Sequence, residues 1–116
     1  MMTPSPQPTE RVSLETFKKL DLRVAEIVSV VVHPNADRLW VLTIRVGNEE
    51  KQIVAGIRAH YDADTLKGRS VVVVNNLEPA VIRGVESQGM MLVASNDQGL
   101  SILVPDRPIA PGSCIH

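Results

Sequence analysis

Aromatic residues are almost missing from this chain: Phe17, Trp40 and Tyr61 are the whole set in 116 residues. The core must therefore be built from Val, Ile and Leu, and that β-branched bias favours sheet. Cysteine is reduced to Cys114, which excludes an intrachain disulfide. A reducing, cytoplasmic compartment is the expectation. Cys114 lies third from the end, whereas a prenylation box needs it fourth. No apolar run reaches membrane-spanning length, and no charged segment leads into an apolar stretch and cleavage site. Positive charge is not in excess either, with 12 Lys and Arg against 13 Asp and Glu. A non-specific nucleic-acid binder is usually basic over a whole face. Any nucleic-acid role here must rest on a local patch and on shape. Near-zero net charge also lowers colloidal repulsion, which permits self-association. The glycine loops that cradle nucleotides are missing. His33, His60 and His116 have no metal-ligand spacing with one another or with Cys114. The one close pair, His33 and Asp37, reads as a surface turn. No metal and no cofactor are expected.

What is present suits one modest domain. Residues 1–12 hold Pro4, Pro6 and Pro8 among polar residues, which predicts an extended, flexible tail. The domain is expected over 13–116. Ser13 is placed to cap a short helix through Leu20, whose apolar side would cover one end of the core. Strands are expected over 21–32, 39–46, 51–57 and 69–75, with a last strand or strand pair at 89–94 and 101–104. Trp40, Leu42, Ile44 and Val46 share one face of the second strand. Gly47-Asn48 makes a tight turn. Asp62 to Leu66 forms one helical turn between the third and fourth strands, closed by Gly68. The segment 105–116, spaced by Pro105, Pro108 and Pro111, is expected to be an irregular C-terminal extension. Five main strands with a helical turn between the third and fourth is the order of a five-stranded OB-fold barrel. The fold class is all-β with short helices.

The densest chemistry lies between Val74 and Met90. Asn75, Asn76, Glu78, Arg83, Glu86, Ser87 and Gln88 fill a connection far longer than a strand-to-strand turn requires. Amide donors and acceptors with one guanidinium and little bulk suit a polar, anionic ligand. Ser87 lacks the glycine two residues earlier that a nucleophile elbow needs, because Val85 stands there. A hydrogen-bonding role for Ser87 and Gln88 is the better functional reading, and satisfying backbone groups in a bend is the structural one. Arg83 either grips phosphate or pairs with Glu86. Arg38, beside Asp37, poses the same choice. Met90 either fills the core or reaches the rim. Trp40 reads as a core or interface residue, with base stacking as the alternative.

Several motifs occur in one order: Asp21-Leu22-Arg23-Val24, His33-Pro34-Asn35-Ala36-Asp37-Arg38-Leu39, Gln52-Ile53-Val54-Ala55-Gly56-Ile57, Asn76-Leu77-Glu78-Pro79, Arg83-Gly84-Val85-Glu86-Ser87-Gln88-Gly89-Met90 and Pro105-Asp106-Arg107. Together they closely resemble the structure-specific tRNA-binding domain found at the C-terminus of many bacterial methionyl-tRNA synthetases. The same domain occurs in endothelial-monocyte-activating polypeptide II and as free-standing tRNA-binding proteins. The resemblance runs over residues 14–116. It implies an OB-fold with a C-terminal extension engaged in homodimer formation, and recognition of the outer corner of folded tRNA by shape. The contact set it implies is His33, Asn35, Asp37 and Arg38 from the first turn, with Asn76, Arg83, Ser87, Gln88 and Met90 from the second. This sequence departs from the family at two of its residues. Arg38 replaces a common Lys and keeps the charge. Trp40 stands where smaller or single-ring residues are usual.

The leading expectation is a non-catalytic, homodimeric tRNA-binding module of the cytoplasm, acting in trans for an aminoacyl-tRNA synthetase, with no membrane partner. Met1 and the short tail read as a free-standing protein. The alternative is a dimeric, chaperone-like protein-binding OB-fold. A third class, hydrolysis of aminoacyl esters, lacks a recognisable base and nucleophile.

Overall fold

The valine-rich runs pair into a strongly curled antiparallel sheet in the computed structural model, which describes residues 10–116. The expected tail falls almost wholly outside the described residues. Strand β1 (Leu22–Val32) is the longest and organises the rest. Its first half pairs with β4 (Ser70–Val74) and its second half with β2 (Trp40–Val46). The register shifts between Ile27 and Ser29, and such a bulge bends a strand and increases its twist. Strand β3 (Glu49–Ala55) follows β2 across the Gly47-Asn48 turn. Two short strands, β5 (Ala80–Ile82) and β6 (Val85–Ser87), form a hairpin, and β7 (Met90–Met91) pairs with β4. The main sheet runs β3-β2-β1-β4-β7, so the all-β, OB-like architecture holds with five strands in its path.

One backbone bond and two side-chain bonds between β3 and the 87–88 segment complete the closure that the strand ladders leave open. The Gln88 amide donates to Gln52 O at 2.8 Å. The Gln52 amide donates to Gln88 Oε1 at 2.9 Å, and the Val54 amide to Ser87 Oγ at 3.0 Å. The enclosed core is aliphatic: Ile27, Leu42, Ile44, Ile53, Ile57, Leu66, Val71 and Val73 are almost fully buried. Each contributes on the order of 1.5–3 kcal/mol by leaving water. Leu66, from the short helix α2 (Ala63–Leu66), fills the barrel end beneath β1.

Three expectations are corrected. The N-terminal helix α1 (Leu14–Phe17) has its Ser13 cap, which accepts from the Thr16 amide at 3.0 Å, but it stops at Phe17 and buries none of its residues. Leu14 is 67% exposed. Asn76 ties the following turn to the barrel rim by accepting from the Asp21 amide and donating to Lys19 O, while Leu66 already fills the core. The C-terminal extension is not wholly irregular. Strand β10 (Cys114–Ile115) pairs with Leu22 and Arg23 of β1. Gly112 makes that approach possible, since a Cβ there would lie 2.7 Å from the Gly47 amide nitrogen, and its φ is +94°. Finally, the last strand pair is divided: β7 joins the barrel wall, and the rest forms a separate two-stranded sheet whose Ile102 still packs into the core. Strands β8 (Val93–Asn96) and β9 (Gly99–Ile102) form their own hairpin.

The rim between α1 and β4 is built around a carboxylate. Asp21 accepts from Arg23 Nε at 2.6 Å and from Asn75 Nδ2 at 3.0 Å. Arg23 also donates to Gly112 O, which links this rim to the C-terminal extension. The Asn75 amide and then the Arg23 guanidinium hold the Asp21 carboxyl below its ordinary 3.8. A carboxyl held low in the folded state stabilises above its unfolded value. That contribution disappears as pH falls through the folded value. Urea midpoints measured from pH 5 downward are expected to fall more steeply for the wild type than for Asp21→Asn. Equal slopes would show that this carboxylate adds nothing to stability.

Candidate nucleic-acid interface

The loop after β1 and the tip of the β5–β6 hairpin, far apart in sequence, meet at one corner of the barrel. A two-residue hairpin favours a turn with positive φ at both central positions, because its twist matches the strands. Arg83 and Gly84 hold φ values of +53° and +89°. Arg83 is the sole non-glycine residue with positive φ among the described residues. Holding an L residue there costs on the order of 1 kcal/mol.

His33 is 5% exposed and braces the hairpin. Its Nδ1 accepts from the Asn35 amide at 2.9 Å, which leaves Nε2–H to donate to Ile82 O at 2.9 Å. Both ring nitrogens are thereby engaged, and one neutral tautomer is fixed. Asn35 Nδ2 donates to Arg83 O at 3.0 Å. The Arg83 guanidinium makes one long hydrogen bond, to Asn35 O at 3.4 Å. Asp37 and Arg38 are exposed on the same loop. Among the described residues the ion pairs are Arg23–Asp21, Arg45–Glu26 and Arg107–Asp106. Neither Arg83 with Glu86 nor Arg38 with Asp37 is one of them.

The remaining expected contacts sit elsewhere. Ser87 is 2% exposed. Its hydroxyl accepts from the Val54 amide and donates to Gly89 O at 2.9 Å. Among the described residues no base touches that hydroxyl, so they build no nucleophile arrangement. Gln88 is engaged with Gln52, behind the hairpin. Asn76 lies beside Lys19 and Asp21, toward the opposite end of β3, where Lys51 Nζ donates to Asn75 O. Met90 is exposed and pairs with Val74. The structure therefore brings His33, Asn35, Asp37, Arg38 and Arg83 to one corner. Ser87 and Gln88 hold its rear, and Asn76 and Met90 lie apart from it.

Arg58 joins this corner and was not singled out in the sequence. Its guanidinium carbon lies 4.8 Å from the centroid of the Trp40 ring. Its amide donates to Arg38 O at 3.4 Å, and the bend at 57–61 turns it back over β2. The indole Nε1–H donates to Tyr61 O at 2.8 Å. No spacing rule links positions 40 and 58; a basic residue just past the third strand was the one available signal. The corner thus carries Arg38 and Arg83, with Arg58 joined to Arg38 through the backbone, on a chain of net charge −1. Guanidinium groups without carboxylate partners are suited to phosphate oxygens.

A family model described as a putative tRNA-binding domain matches residues 22–114. The methionine–tRNA ligase of Thermococcus onnurineus is 48% identical over 107 residues, which cover 92% of this chain and 15% of that protein. The chain thus spans a small part of the curated relatives it matches. A MetRS-related protein of Pyrococcus horikoshii superposes with a TM-score of 0.86 at 28% identity, covering 93% of this chain and 100% of that one. A CsaA chaperone protein of Picrophilus torridus superposes with a TM-score of 0.84 at 28% identity, covering 91% of this chain and 100% of that one.

Proposed function

Because the chain belongs to the putative tRNA-binding domain family, we propose that it is a non-catalytic module that binds folded tRNA through the corner built by the 33–39 loop and the β5–β6 hairpin. One observation carries this reading: Arg38 and Arg83, neither in an ion pair among the described residues, stand on the two segments that His33 and Asn35 pin together. Arg83 and Arg38 reach phosphates, while His33 and Asn35 hold the hairpin tip in place. Shape recognition of RNA uses phosphate and 2′-hydroxyl groups more than base edges, and Asn35 and Asp37 add a donor and acceptors for them. The outer corner of the tRNA is the surface that such a compact face would fit. Delivery of tRNA to a synthetase in trans, within the cytoplasm, follows from this role. The test is a titration of labelled folded tRNA, the same tRNA denatured, and a tRNA lacking its anticodon arm. Folded and truncated tRNA should bind alike and denatured RNA weakly. No binding of any tRNA at low salt would end this reading.

We further propose that the module works as a homodimer. Val12, Leu14, Phe17 and Leu20 line an open apolar groove of about 710 Å³ along α1, and Leu103, Val104 and Ile109 are exposed after β9. A two-fold partner would cover such surface isologously and place two tRNA-binding corners on one particle, adding avidity. Sedimentation should give a dimer for the wild type and a monomer for Leu14→Asp/Phe17→Asp, with weaker tRNA binding by the monomer. A wild-type monomer with full affinity would show that pairing is irrelevant.

A chaperone-like reading stands second, favoured by the similarity to a CsaA chaperone protein and by the same exposed apolar residues. Suppression of client aggregation that tRNA does not compete away, and that Arg83→Ala leaves intact, would support it.

A further inference from the structure

We propose that the Arg58–Trp40 stack is a seat for one unpaired RNA base. The inference rests on the RNA-binding reading above and adds to it a nucleotide-scale site. Trp40 is fixed in place. It pairs in the sheet with Val32 on one side and Ala55 on the other, and its Nε1–H is held by Tyr61 O. The indole therefore presents a rigid face at the end of the barrel. Arg58 lies over that face at 4.8 Å.

The Arg58 side chain has no ion-pair or hydrogen-bond partner among the described residues. A guanidinium stacked on an indole keeps its outer face and all its edge N–H groups. The aromatic ring beneath offsets part of the cost of holding the flexible side chain flat. An RNA base splayed out of its stack is bound by such surfaces, on aromatic rings or on guanidinium planes. The edge N–H groups then lie beside the nucleotide's own phosphate, and Arg38 is joined to Arg58 through the backbone. A residue used for phosphate charge alone has no need of the aromatic support. The base seat uses both parts of the pair.

Trp40 is the one tryptophan in the chain, so its emission reports on this seat alone. The experiment follows that emission together with the anisotropy of labelled RNA, for folded tRNA and for a blunt duplex without unpaired bases. The wild type, Arg58→Lys and Arg58→Ala are compared. Saturation with folded tRNA should quench Trp40, and the duplex should not. Both substitutions should weaken tRNA binding roughly tenfold, the scale of one lost stacked base. Duplex affinity should be unchanged for Arg58→Lys, because lysine keeps the charge and loses the plane. If anisotropy shows tRNA bound while emission is unchanged and Arg58→Lys matches the wild type, the seat is refuted and the tRNA-binding reading stands. Lysine that rescues fully where alanine weakens binding would make Arg58 a phosphate contact and equally refute the seat. Absence of tRNA binding by anisotropy would remove both.

Discussion

Arg83→Ala weakens the binding of folded tRNA by about 1–3 kcal/mol, the scale for truncating one partner of a charge-assisted contact, and flattens its salt dependence. The flattening follows because each neutralised phosphate adds to that slope. Position 83 allows a sharper test than alanine. Its φ of +53° is unfavourable for arginine, and the turn type prefers asparagine or glycine there. Arg83→Asn and Arg83→Gly are therefore expected to raise the urea midpoint, by an amount equivalent to about 0.5–1 kcal/mol. The same variants should lose binding as Arg83→Ala does. Stability and affinity moving in opposite directions is the signature of a residue kept for its ligand. Affinity and salt slope unchanged in all three variants would make Arg83 a solvated surface charge.

Ser87→Ala is expected to produce the largest loss of stability, about 2–4 kcal/mol, from two buried groups left unpaired. Its hydroxyl accepts from the Val54 amide and donates to Gly89 O, and both groups face the closed seam of the barrel. Alanine cannot replace either bond, and a buried seam admits little water. Against a total stability of roughly 5–15 kcal/mol, that loss is visible in any denaturation curve. Binding weakens with it, because the seam carries the hairpin that presents Arg83, but the salt slope stays near that of the wild type. Gln88→Ala follows the same pattern at smaller amplitude, since Gln88 is half-buried. A Ser87→Ala protein of wild-type stability and reduced affinity would instead make the hydroxyl a direct RNA contact.

The barrel strands were legible because valine and isoleucine runs with tight turns have few alternatives. The Gly47-Asn48 turn and the helical turn at α2 fell where their residues place them. The β5–β6 hairpin was hidden because its tip carries Arg83 in a conformation that a sequence reader assigns to asparagine or glycine. Barrel closure was hidden for a related reason: Ser87 and Gln88 supply it with side chains, and their polarity reads as ligand-facing. The apolar side of α1 predicted burial, yet apolarity does not say whether the cover is the chain's own core or another surface. Strand β10 lies among prolines that argue against a strand, and it depends on a close approach between Gly112 and Gly47. The corner itself was half visible. The two turns could be named from their residues, but Arg58 reaches Trp40 through a fold-level bend that no local pattern encodes.

Amide hydrogen exchange of the full chain with and without folded tRNA tests the central claim most directly. The account predicts new protection at 33–39 and 82–85, with the β8–β9 hairpin unchanged. Protection confined to β8–β9 or to the C-terminal extension, with the 33–39 loop and the hairpin tip unaffected, would contradict it.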